Sequence, residues 1–148
     1  MTPAFEAGGV RVYDSYAHHP DEVRADLAAA RSVAGEQGRM ITVFQPSGPS
    51  RLTVFGWEFG KALAGSDEVV VTGSAQRFAV AGLETLSARI DAAGGTCRHV
   101  EPDRAEAAVL AASLARPGDV LVLMGPGDIA EAGQVLRSAL GDTVGTAV

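Results

Sequence analysis

Cysteine is all but missing from this chain. Cys97 stands alone, so no internal disulfide can form. That fits a reducing compartment. The thiol reads as a small buried hydrophobe, with a reactive group as the alternative. Basic residues are also scarce. Twelve Lys and Arg face eighteen Asp and Glu, for a formal net charge of −6. With no basic stripe, nucleic acid and anionic membrane surfaces are not expected partners. A local positive pocket for an anionic substrate stays open. No apolar run approaches the ~18 residues of a membrane span, and no charged-then-apolar leader is visible. A cytoplasmic protein is expected. Linkers, internal repeats and low-complexity tracts are absent too. The 148 residues, 47% of them hydrophobic, therefore read as one domain, 1–148, large enough to bury a core.

Two kinds of segment alternate along the chain. Val10–Asp14, Met40–Phe44, Glu68–Thr72, Cys97–Val100 and Val120–Met124 read as strands, with Thr143–Ala147 as a last edge strand. The best of them are continuous apolar runs, as in a sheet covered on both faces. Between them, helical spacing predicts helices over 20–35, 50–64, 79–93, 103–115 and 128–140. Pro20 suits a first helical position, and Asp21 and Glu22 suit the positive end of that helix. The expected fold is α/β: a Rossmann-like three-layer sandwich. Its sheet would have about six mostly parallel strands, with helices on both faces. Ligands of such folds sit beyond the carboxyl ends of the strands. The stretches 14–19, 45–51, 72–78 and 125–128 are therefore where function is expected.

The first of these is the richest. "VYDSYAHHPDEV" places Asp14, Tyr16, His18 and His19 just before a helix. Asp14 can accept two hydroxyl hydrogen bonds, as a ribose offers. Tyr16 presents a flat face. A histidine at a helix N-terminus can donate to a phosphate or ligate a metal. The plainer alternative is an ordinary strand-to-helix turn, with His19 as N-cap and His18 solvated. Arg51 at the second strand end suits a bidentate carboxylate or phosphate contact, or a solvated first-turn position. Asp128 at the fourth fits an N-cap or a substrate-facing loop.

Together these residues resemble a known family. "YDSYAHHPDEV", "VFQPSGPSR" (43–51) and "GDVLVLMGPGDI" (118–129) are similar, in order and at strand ends, to motifs of the Mur ligase C-terminal domain. The likeness is nearest to the branch that joins UDP-N-acetylmuramate to L-alanine. The resemblance implies an ATP- and Mg2+-dependent amide ligase of peptidoglycan precursor synthesis, built from three domains. One binds the UDP-sugar and one is an ATPase domain with a P-loop. The third, matched here, closes over the nucleotide. The muramate carboxylate is activated as an acyl phosphate, and the amino acid displaces phosphate. By this resemblance Asp14, Tyr16 and His18 bind the nucleotide, and His18 and Arg51 serve the chemistry. His19, Ser50, Arg51, Gly125 and Asp128 face the substrates. The expected partners are UDP-N-acetylmuramate, the amino acid and the neighbouring ATPase domain. Alone, the chain is expected to be inactive.

Departures from the pattern leave a second reading open. Ser47-Gly48-Pro49 stands where the family carries His-Arg-Tyr or His-Leu-Tyr, and the third strand end is short and lacks an acid. Arg77 is the one anion-contact candidate there. The alternative is thus a diverged, non-catalytic nucleotide-binding or interaction module. A free-standing small-molecule Rossmann domain is a third option.

Three decoys are set aside. "GWEFGKAL" (56–63) has three residues between its glycines and no Ser or Thr after Lys61, so it is no P-loop. Gly125-x-Gly127-x-x-Ala130 formally fits the dinucleotide fingerprint, but it lies on the last strong strand, and Asp128 would repel a phosphate. His18, His19, Asp14 and Glu22 lack metal-ligand spacing, so no metal site is assigned. His99 is expected to be structural or solvated. Trp57 points away from the Leu52, Phe55 and Phe59 stripe. It fits a contact with another domain or subunit as well as partial burial.

Overall fold

The structure, a computed structural model, describes residues 1–73 and 80–145. Arg77 and most of the third strand end lie outside the described residues. Five parallel strands form the body of one sheet: β2 (Val10–Ser15), β3 (Met40–Phe44), β4 (Glu68–Thr72), β5 (Cys97–Glu101) and β6 (Val120–Met124). A sixth strand, β1 (Thr2–Ala7), pairs antiparallel with β2, and the order is β1-β2-β6-β3-β4-β5. Every residue of β3, β4 and β6 is buried. Unbroken apolar runs are what a strand needs when helices cover both its faces.

The helices divide by direction of travel across the sheet. From β2 to β5 the chain advances through α1 (Pro20–Ala34), α2 (Pro49–Leu63) and α3 (Val80–Ala92). It then turns back through α4 (Arg104–Leu114) to place β6 between β2 and β3. Right-handed crossovers therefore put α1, α2 and α3 on one face and α4 on the other. The two apolar layers agree. Val23, Leu27, Phe59, Leu63, Leu86 and Ile90 fill one; Ala107, Ala111, Ile129, Leu136 and Leu140 fill the other. Each fully buried Leu, Ile or Phe contributes roughly 1.5–3 kcal/mol.

Two expectations need correction. Thr143–Ala147 is not a strand: α5 runs from Gly133 to Gly145, and residues 146–148 lie outside the described residues. The edge next to β2 is taken by β1 instead. Gly8 and Gly9, at φ 62° and 77°, make the two-residue turn that joins β1 to β2. Positive φ at both positions is the twist-matched hairpin turn, which glycine adopts without strain. Nor is 128–140 one helix. A 3-10 turn, Asp128–Ala132, precedes α5. Within α2, Phe55 is off-helix at φ −113°, ψ 16°, so the stripe bends there.

The edge carrying the strands' amino ends is closed. Asp119, 4% exposed, accepts from the backbone N–H groups of Arg39 (3.1 Å) and Arg116 (2.9 Å) and from the Arg39 guanidinium (3.2 Å). The carboxyl edge holds the candidate site.

Candidate functional site

Register places the predicted positions together. Ser15 pairs with Met124, and Met124 with Phe44, so the residues after β2, β3 and β6 share one rim. Because β6 sits between β2 and β3, this rim is also where the order reverses, the usual ligand crevice of an open α/β sheet.

Asp14 follows Val10 and Val12 on the α5 side of β2, while Ser15 turns to the α1 side and donates to Asp26 at 2.6 Å. The Asp14 carboxylate meets no hydrogen bond or ion pair among the described residues. Burial without compensation pushes its pKa above the usual carboxylate value. Two cavities share it as wall. One of about 370 Å3 also touches Thr2, Tyr16, Gly125, Gly127 and Ile129. The other, about 180 Å3, touches Phe5, Gln134 and Arg137. The groove between α2 and α3, about 260 Å3, shares no residue with either. Tyr16 is 71% exposed above the rim.

The two histidines separate. His19 is the N-cap of α1: its Nδ1 accepts from the Asp21 N–H at 3.3 Å. Pro20 confines the residue before it to the extended region, and His19 is there at φ −124°, ψ 145°. Its ring packs on Phe55 with centroids 5.0 Å apart. Glu22 completes the cap by accepting from the N–H groups of His18 and His19 at 3.2 and 3.1 Å. These amides, which an anion would use, are thus engaged by the protein itself. His18 differs. Its Nδ1 lies 2.9 Å from the Tyr16 carbonyl and 3.6 Å from Glu22 Oε1. Both neighbours only accept, so Nδ1 carries the proton and Nε2 is the nitrogen left for other contacts.

Arg51 reaches back from α2 and donates to the His18 carbonyl at 3.2 Å, tying the first strand end to the second. Ser50 is exposed beside it. Gly48 caps α2 without a side chain. Gly125, buried at φ +152°, donates its N–H to the Ser15 carbonyl at 2.9 Å. A Cβ there would stand 2.4 Å from the Gln45 carbonyl oxygen, so only glycine fits. Asp128 neither caps the 3-10 turn, which Gly127 does, nor faces the cavity freely. It accepts from Gln45 Nε2 at 2.6 Å and pairs with Arg104 at 3.5 Å.

Sequence reasoning did not single out Gln45, Arg104 or the role of Glu22. Gln45 carried the clearest signal: a neutral amide just after a fully buried strand needs partners if it is buried too.

Residues 2–127 match the family model for the Mur ligase, glutamate ligase domain. The chain belongs to the Mur ligase family. It is 43% identical over 147 residues to the UDP-N-acetylmuramate–L-alanine ligase of Thermobifida fusca, covering 92% of this chain and 30% of that one. It is 46% identical over 127 residues to the ligase of the same name from Mycolicibacterium vanbaalenii, covering 83% of this chain and 26% of that one. The chain thus spans about a third or less of these Mur ligases. Among solved folds, a murein peptide ligase of Psychrobacter arcticus superposes with a TM-score of 0.76 at 21% identity, covering 96% of this chain and 30% of that one. A domain from a Haemophilus ducreyi ligase superposes at 0.71 with 23% identity, covering 93% of this chain and 97% of that one. The expected α/β sandwich is borne out. No helix among the described residues is long and apolar enough to cross a membrane.

Proposed function

We propose that this Mur ligase domain is the C-terminal part of an ADP-forming ligase joining L-alanine to UDP-N-acetylmuramate. It closes over a nucleotide held chiefly by a neighbouring ATPase domain. The carrying observation is Asp14: a desolvated carboxylate with no partner among the described residues, in a cavity wall below an exposed tyrosine, at the sheet's switch point. Such a group gains from hydroxyl donors, as on a ribose, what folding left unmet. Tyr16 lies along the nucleotide. His18 Nε2 and the Arg51 guanidinium face its phosphates and orient them, since phosphoryl transfer depends on positioning and charge. ATP, when bound, supplies the phosphoryl group that activates the sugar acid. Among the described residues no cluster of three His, Cys, Asp or Glu side chains is placed to hold a metal. The Mg2+ of the bound ATP is left to the neighbouring ATPase domain, as the resemblance implies.

The test is a graft. Replacing the corresponding domain of the Thermobifida fusca ligase with residues 1–148 is expected to give L-alanine-dependent ADP release. Asp14→Asn in that graft raises the ATP KM with the fold intact. The chain alone, given ATP, UDP-N-acetylmuramate and L-alanine, releases no ADP; turnover by it would contradict this division of labour. A folded graft that binds nucleotide but never releases ADP would favour the non-catalytic module.

A further inference from the structure

We propose that Gln45 is a positioning residue for the cavity beside Asp14. Its carboxamide holds the 125–129 turn in the place that gives that cavity its wall. The use of the cavity rests on the nucleotide reading above; the geometry does not.

Gln45 is 1% exposed. Its Nε2 donates to the Gly73 carbonyl at 3.1 Å and to Asp128 Oδ1 at 2.6 Å. Its Oε1 accepts from the Ile129 N–H at 3.1 Å. These partners fix which end is which: two acceptors face the nitrogen and one donor faces the oxygen, so both amide hydrogens are used. The backbone adds a further tie, since Gln45 N donates to the Met124 carbonyl at 2.8 Å. One residue thus joins the ends of β3, β4 and β6. Gly125 reaches β2 through Ser15, and its missing side chain lets the turn lie against Gln45. The turn residues Gly125, Gly127 and Ile129 are the ones that wall the cavity shared with Asp14 and Tyr16.

No other side chain meets this demand. Glutamate at this position would set a third acceptor against Asp128 and the Gly73 carbonyl. Methionine keeps the volume but leaves the Gly73 carbonyl and the Ile129 N–H unmet, and Asp128 with Arg104 alone. The charged groups grouped at this point are Asp128 on the 3-10 turn and Arg104 on α4. Arg104 also pairs with Glu131 at 3.0 Å. A protonated glutamate has one donor to offer Asp128 or Gly73, so acid partly restores Gln45→Glu and does nothing for Gln45→Met.

The experiment is amide hydrogen exchange by NMR on the 148-residue chain, in wild type, Gln45→Glu and Gln45→Met, each compared with wild type at the same pH. ATP is added as the probe in a second arm. At neutral pH the Gly125 and Ile129 amides exchange about tenfold to a hundredfold faster in both variants, while Val69–Val71 stay protected. Lowering the pH shrinks the excess over wild type in Gln45→Glu only. In wild type, ATP shifts the Tyr16 and Asp14 resonances, and both variants weaken that response. Unchanged exchange at Gly125 and Ile129, acceleration spread evenly over the domain, or no acid recovery in Gln45→Glu would each overturn the proposal. If the exchange pattern appears but wild type ignores millimolar ATP and Gln45→Met leaves the ATP KM of the graft unmoved, the nucleotide reading fails and the positioning role stands.

Discussion

His19 offers a clean separation between scaffold and site. The residue was a substrate-facing candidate, yet its ring nitrogen caps α1 and its ring lies on Phe55. Truncation to alanine removes both. A lost N-cap costs about 1 kcal/mol. A half-exposed ring contact contributes about 0.5 kcal/mol, the low end for aromatic pairs. His19→Ala is therefore expected to lose about 1.5 kcal/mol, which lowers Tm by about 5 °C in a domain of this size. Asparagine caps at least as well and forfeits only the ring contact. His19→Asn should lose about 0.5 kcal/mol, or about 2 °C. Urea denaturation of the isolated chain measures both, and ATP KM in the grafted ligase supplies the functional arm. A scaffold residue gives the order wild type, Asn, Ala in stability, with KM unmoved in His19→Asn. If alanine is as stable as wild type, or asparagine no better than alanine, the capping argument is wrong. If His19→Asn keeps the fold but loses ATP, His19 belongs to the site after all.

Three further outcomes are expected. Burial raises the folded pKa of Asp14 above its unfolded value, so the folded state holds the proton more tightly; stability falls as pH rises from the ordinary carboxylate value through the folded one, and in neutral urea melts Asp14→Asn should be the more stable protein. Burial also pushes the Cys97 thiol up, against a smaller downward pull from Ser87, so a thiol reagent should label it slowly in the native chain and at once in denaturant. Gly125→Ala should destabilise the chain by several kcal/mol in the same melts, since the new methyl meets the backbone oxygen of Gln45, a residue whose own N–H is tied to Met124.

What the sequence made legible follows from where each signal is stored. Met40–Phe44, Glu68–Thr72 and Val120–Met124 could be read to the residue, because burial on both faces is written locally as apolar, β-branched runs that a Thr or a terminal Glu does not break. Strand β1 could not: four of its six residues are exposed, and only the Gly8-Gly9 pair announced the hairpin. The last helix kept its apolar stripe, but the stripe does not say that its first turn winds as a 3-10 turn. At the rim, residue types were visible and roles were not. The bond between Gln45 and Asp128 joins positions 83 residues apart, and no local spacing encodes it.

The contrast between Asp14 and Asp128 shows what decides such roles. Both are aspartates at the carboxyl ends of strands, Asp14 within β2 and Asp128 just past β6, and by sequence either can face a ligand. Asp128 is held by an amide and a guanidinium, so a ligand would have to displace partners it already has. Asp14 has none among the described residues and already bears the cost of desolvation. A polar group whose bonds are complete frames a site; one left incomplete at low cost to the fold is placed to receive something. The same reasoning bears on Ser47-Gly48-Pro49. That stretch caps α2 with no side chain, next to Arg51, and none of its residues lines the cavities that Asp14 walls. Side chains missing there take donors from the phosphate and substrate side and leave the Asp14 cavity whole. On this reading, nucleotide affinity and turnover come apart: the graft should bind ATP as its parent does, while its kcat falls.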